Sequence, residues 1–243
     1  MPYIMGLDVS IKKTGYCILD TEAPYSSFIE RGRLYTYKEE GIMIQRLLQQ
    51  QDQIKKKIEE FSIGFISMEA PYFGGGESEY LYALNQFLHQ VFLEKEVFLI
   101  CFPPQQLKSI ALPDKKVTAE SVGKAHMILA AQKYYDLEGK VITDDEADAL
   151  NVGRIGKFFY NWRNALTIKD SDLEPKMLTA FAEKKTLKSG PRKGFTEYTG
   201  LIYRENDLFF DFKKIKQRRA ECLQKELEDG RSKKTNSKRQ DSR

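Results

Sequence analysis

GLDVSIKKTGYCILD (residues 6–20) is two apolar runs joined by a polar segment, and it reads as a β-hairpin. The first run starts upstream, so PYIMGLDV (2–9) predicts a buried strand with Asp8 near its end. SIKKTG (10–15) predicts the turn, and YCILD (16–20) the return strand. FIERGRLYTY (28–37) alternates in part and predicts a third strand. From Lys38 to Phe61 the residues Ile42, Ile44, Leu47, Leu48, Ile54 and Ile58 fall near helical spacing. IGFISM (63–68) then predicts a fourth strand that ends at Glu69.

Pro71 and the run Gly74-Gly75-Gly76 break the chain, so the loop 70–76 is read as a hinge or a turn with unusual dihedrals. A helix is predicted over 77–93, where Leu81, Leu84, Leu88 and Val91 recur at three and four residues and Tyr80, Phe87 and Phe92 widen the apolar arc. EVFLICF (96–102) predicts a fifth strand, closed by Pro103-Pro104. Short helix 105–110, a helix capped by Thr118 and running to Tyr135, and a helix from Asp144 to Trp162 complete this part. With the short helix 105–110 left out, the order β-β-β-α-β-α-β-α-α predicts an α/β fold, a mixed five-stranded sheet with helices on both faces, which resembles the RNase H-like arrangement.

After about residue 168 the periodicity weakens and charge rises. Residues 169–229 are read as a basic C-terminal extension with strand-like runs at 195–203 and 207–212 and a basic helix from Lys213 to Leu227. The segment 230–243 has almost no apolar residue and is expected to be a disordered basic tail. Such a tail suits a polyanionic partner or serves only to solubilise.

Composition narrows the chemistry. The 243 residues carry a net charge of +4, 3 cysteines and 2 histidines. Cys17, Cys101 and Cys222 are far apart and form no CxxC pair, which argues against a disulfide framework or a cysteine-based zinc site. With only His89 and His126, both read as structural, histidine-rich metal sites and Ser-His-Asp triads are hard to assemble. Any metal must be held by carboxylates, which favours magnesium or manganese. No long apolar span and no signal peptide are seen, so a cytoplasmic protein of a bacterium or of an infected host cell is expected.

The acids carry the functional argument. Asp8 and Glu69 end strands amid Ile, Leu, Val and Met, where an unpaired carboxylate costs several kcal/mol if buried. Asp145 and Asp148 sit three apart at the start of a helix and project from one face. Four carboxylates at one sheet edge suit two divalent cations roughly 3.5–4 Å apart, the equipment for phosphodiester hydrolysis. Asp144 and Glu146 are read as solvent-facing acids that favour the helix dipole and are left out of the set.

These residues also carry a resemblance. GLDVSIKKTGYCILD (6–20), SMEAPYF (67–73) and DEADALNVG (145–153) resemble, in order and spacing, the three motifs of the RuvC-like Holliday junction resolvases, over about residues 1–165. The resemblance implies an RNase H-like fold, a homodimer, magnesium or manganese, and paired nicks across a four-way DNA junction. It implies that Tyr72, followed by Phe73, probes the junction bases, and that Lys108 touches the cleaved strand together with one of Lys115, Lys116 and Lys124. The plain alternatives are loop aromatics folded on the core and solvated lysines. The apolar arc of 77–93 is read as a homodimer face or as ordinary core. A compact nuclease with an added basic tail would suit a phage or virus. Two other readings share parts of the pattern. A ribonuclease H acting on RNA–DNA hybrids has the same acid geometry. Actin-like kinases and ATPases also open with a Gly-x-Asp hairpin ending in Thr-Gly, although no later Gly-rich adenosine motif is evident here.

Overall fold

The computed structural model describes residues 3–37, 41–70, 78–112, 123–163, 177, 184–186 and 196–198. The strands are β1 (Tyr3–Asp8), β2 (Lys13–Asp20), β3 (Glu30–Tyr35), β4 (Ile63–Glu69) and β5 (Phe98–Phe102). The helices are α1 (Met43–Glu60), α2 (Ser78–Glu94), α3 (Pro104–Ala111), α4 (Lys124–Tyr134) and α5 (Asp144–Arg163). The five strands form one sheet in the order β3-β2-β1-β4-β5. β3, β2 and β1 pair antiparallel, whereas β1, β4 and β5 pair parallel. The predicted mixed sheet is therefore present. Further along, β6 (Lys184–Thr186) and β7 (Thr196–Tyr198) pair as a small antiparallel sheet. β7 falls inside the predicted strand-like run 195–203; β6 had no counterpart in the pattern.

Alternation along the strands divides the core in two. Met5, Leu7, Ile18, Ile66 and Met68 face one side, packed with Leu47 and Ile54 of α1 and Leu84, Leu88 and Val91 of α2. Ile4, Cys17, Leu19, Phe65 and Ile100 face the other, packed with Leu107 of α3, Ala131 of α4 and Leu150, Ile155 and Phe159 of α5. Met177 joins this second core, so the chain past α5 touches the sheet domain.

α5 lies against β1, β2 and β4 at unusually close range. A methyl group on Gly6 would stand 2.4 Å from the Ala149 carbonyl oxygen, and one on Gly15 would stand 2.0 Å from that of Asp145. Only residues without a side chain let backbone meet backbone there. Small polar groups close the remaining seam: Cys17 Sγ donates to Ala149 O (3.1 Å) and Ser67 Oγ donates to Val152 O (2.8 Å). Farther along, Lys157 is buried and donates Nζ to the carbonyls of Ala23 (2.8 Å) and Pro24 (3.1 Å), which ties the β2–β3 connection to α5.

Two boundaries differ from the sequence reading. The hairpin turn is shorter than 10–15, and β2 begins at Lys13. Thr14 Oγ1 accepts from Ser10 N–H (3.1 Å) and donates to Ser10 O (2.9 Å), closing the turn with a side chain that the apolar pattern does not reveal. In the described residues the helix before α5 begins at Lys124, where His126 Nδ1 accepts from Gly123 N–H (3.3 Å). Thr118, the Gly74–Gly76 run, the strand-like run 207–212 and the segments 213–227 and 230–243 lie outside the described residues.

The tight seam makes a prediction. Gly15→Ala must push the first turn of α5 away from β2, so it should destabilise the chain by about 1–3 kcal/mol. Thermal unfolding against the parent checks this. A mutant with unchanged melting temperature would show that the seam has slack.

Candidate active site

Asp8 is the last residue of β1 and Glu69 the last of β4. The two strands are adjacent and parallel, so both acids arrive at the same sheet edge. Both share strand parity with residues that meet α5: Ile4 and Gly6 before Asp8, Phe65 and Ser67 before Glu69. The first turns of α5 supply Asp145 and Asp148. Gly15, the cross-strand partner of Asp8, is the residue pressed against the Asp145 backbone. The contact that seats α5 therefore also sets the helical acids beside the strand acids. All four carboxylates are half-buried.

Their electrostatics report crowding. Burial first, and then Asp148, Glu69 and Asp145, push Asp8 up to about 8. Burial and Asp148 push Glu69 up to about 7, with Lys108 opposing. Burial and Asp144 raise Asp148 to about 6, against Lys108 and Lys124. Asp145 is also raised by burial and Asp144, with Arg33, Lys13 and Lys124 pulling it back. Among the described residues, the side chains of Asp8, Glu69 and Asp148 make no hydrogen bond and no close ion pair. Three half-dehydrated carboxylates of this kind, near enough to raise one another's proton affinity, are relieved either by taking up protons or by a positive charge from elsewhere. Among the described residues no three Asp, Glu, His or Cys side chains stand close enough to enclose one ion as they are. The all-oxygen donor set is of the kind that fits a hard divalent cation.

The cations sit around this group. Lys108 on α3 acts on Glu69 and Asp148, so the structure brings this predicted residue to the site. Lys124 opens α4 and pairs with Asp144, holding that acid below the ordinary range. Lys124, one of the three lysines left open by the sequence, thus stands beside the acids. Lys115, Lys116, Tyr72 and Phe73 lie outside the described residues.

The sequence reading missed Arg31, Arg33 and Lys13. In β3 the residues Arg31 and Arg33 are two apart and share the α5 side with their cross-strand partners Cys17 and Gly15. Arg33 Nη1 lies 3.8 Å from Asp145. Arg31 Nη1 donates to Glu146 at 2.6 Å. The alternation in ERGRLY carried the signal that both face one side, but only strand register says which. Glu146 does not face solvent as expected. It accepts from Arg31 and from Thr143 N–H (3.0 Å) and Oγ1 (2.9 Å), and Thr143 Oγ1 accepts from Glu146 N–H (3.3 Å). This is a capping box at the start of α5. Glu146 is thus outside the acid set because helix and β3 already satisfy it.

No protein-family model matches the chain, and no curated protein matches it in sequence. Solved structures do. RuvC from Thermus thermophilus in complex with Holliday junction substrate superposes with a TM-score of 0.53 at 15% identity, over 63% of this chain and 92% of that one. A second Thermus thermophilus RuvC structure superposes with a TM-score of 0.54 at 15% identity, over 67% of this chain and 96% of that one. The fold is therefore RuvC-like and belongs to the RNase H-like class.

The crowding has a pH signature. Each raised acid binds its proton more tightly folded than unfolded. Between the ordinary 3.8 of Asp8 and its folded value near 8, the unfolded chain carries fewer protons, so stability falls as pH rises. In EDTA, the melting temperature of the parent should drop across this window. Asp8→Asn should flatten the drop and raise stability above pH 8 by on the order of 1–3 kcal/mol. Equal slopes for parent and Asp8→Asn would show that Asp8 is not held in a crowded site.

Proposed function

We propose that the chain is a metal-dependent endonuclease that cuts branched DNA, with four-way junctions as its leading substrate. The observation that carries this reading is the convergence of Asp8, Glu69, Asp145 and Asp148 on one sheet edge, three of them without a close counter-charge among the described residues. The substrate class is supported by the Thermus thermophilus complex, in which a protein of this fold holds Holliday junction DNA.

Asp8 and Glu69 are anchored at the ends of buried strands, so they form the rigid half of a cation site. Asp145 and Asp148 form the other half from α5. Divalent cations held there, magnesium or manganese and two per site, would activate water and neutralise charge developing on the scissile phosphate and its leaving oxygen. Lys108 and Lys124 attract and orient the phosphodiester backbone at the rim. By resemblance, Tyr72, followed by Phe73, would probe the junction bases, and one of Lys115, Lys116 and Lys124 would touch the cleaved strand together with Lys108. A homodimer is part of the same proposal. α2 gives Leu84, Leu88, Val91 and Phe92 to its own core but leaves Tyr80, Tyr82 and Leu93 exposed for a second copy. Among the described residues no helix is long and apolar enough to cross a membrane.

The test compares four-way junction, flap, RNA–DNA hybrid and linear duplex with magnesium, manganese or EDTA. Nicking of branched DNA is expected with either metal and none with EDTA. Asp148→Asn should lower cutting by at least about a hundredfold while junction affinity stays within a few-fold, because phosphate contacts come from Lys and Arg. If the purified chain neither cuts nor binds any branched DNA, the proposal is wrong; preferential cutting of the hybrid would move it to a ribonuclease H.

A further inference from the structure

β3 is an edge strand, and its α5 side carries a continuous row of side chains leading out from the acids. Arg33 stands 3.8 Å from Asp145, and its guanidinium carbon lies 5.1 Å from the centre of the Tyr35 ring. Tyr35 in turn stacks with Tyr37, two residues on, with ring centres 6.0 Å apart and planes within 7° of parallel. Tyr37 is 54% exposed, so an aromatic surface reaches solvent at the outer end. Lys13 on β2 is the cross-strand partner of Tyr35 and is itself exposed. It also acts on Asp145, which places its charge at the same rim.

Aromatic planes interleaved with fixed positive charge are what a single-stranded nucleic acid takes: bases stack on the rings and phosphates meet the cations. An acidic peptide would use the charges but gain little from parallel tyrosine rings. A duplex would meet the charges but keep its bases stacked on one another. We propose that Lys13, Arg33, Tyr35 and Tyr37 form a stacking platform on the β2–β3 edge for an unpaired stretch of DNA next to the acid site. The proposal rests on the nuclease reading for its place beside the scissile phosphate, but binding alone tests it. It explains why β3, which supplies none of the four acids, presents Arg33 and Tyr35 on the α5 side rather than aliphatic residues, with Tyr37 stacked on Tyr35 just past the strand end. A branched substrate provides such an unpaired stretch where its arms part, whereas an uninterrupted duplex does not.

The test uses the full-length chain carrying Asp148→Asn, so that DNA stays intact, and measures the Kd of a duplex with a single-stranded flap and of a blunt duplex of equal length. Added to this background, Tyr37→Ala should weaken flap binding about tenfold and Tyr37→Phe should not, since the ring and not the hydroxyl does the stacking. Blunt-duplex binding should be the same with Tyr37→Ala as without it. Lys13→Ala should lower the slope of log affinity against log salt by about one for the flap. Unchanged flap binding by Tyr37→Ala, equal loss on flap and blunt duplex, or no flap binding at all overturns the platform. If flap binding behaves as expected while the unmodified chain nicks no branched DNA, the nuclease reading fails and the platform stands.

Discussion

The close seating of α5 on the sheet governs everything at the acid edge. Backbone meets backbone where Gly6 and Gly15 face Ala149 and Asp145, and no side chain larger than hydrogen fits at those two points. The seam is then fastened by buried hydrogen bonds from Cys17 and Ser67 to helix carbonyls. A helix packed on ordinary aliphatic side chains would ride several Å higher over the strands, and its acids would miss those of β1 and β4. The glycines thus act as spacers of zero length that bring a helix terminus to a strand terminus.

That seating has an electrostatic consequence. It puts Asp145 and Asp148 next to Asp8 and Glu69 and dehydrates them together, so every one of the four has its proton affinity raised. The rest of the fold tolerates this because the apolar cores on the two sheet faces are extensive. Local instability at a site supported by a stable scaffold is the usual arrangement where a ligand supplies the missing interaction.

The surrounding charges are sorted rather than scattered. Glu146 is satisfied by Arg31 and the Thr143 cap, and Asp144 is held by Lys124. These two acids stand beside Asp145 and Asp148 in sequence, yet their partners remove them from the crowded group. Arg33 and Lys108 stay at the rim, where they temper Asp145, Glu69 and Asp148 without neutralising them. The same sorting leaves β3 and the residues just past it with a row of charge and aromatic rings that begins at the acids and ends in solvent.

Much of this was written in the sequence. Alternation and helical spacing placed the strands and most helices within a few residues, because burial on one or both faces imposes periods that survive in any one chain. The strand-end positions of Asp8 and Glu69, and the three-residue spacing of Asp145 and Asp148, marked the acid set for the same local reason. What the sequence could not say is which side of each strand meets α5. Arg31 and Arg33 were visible as an alternating pair but had no known neighbour until β2–β3 register set them opposite Cys17 and Gly15. Glu146 looked like a surface acid until Arg31 crossed to it from a strand more than a hundred residues earlier. Periodicity is a property of neighbours in the chain, so it determined the elements and their acids. Register and helix seating are properties of pairs distant in the chain, so only the folded structure decided which charges meet.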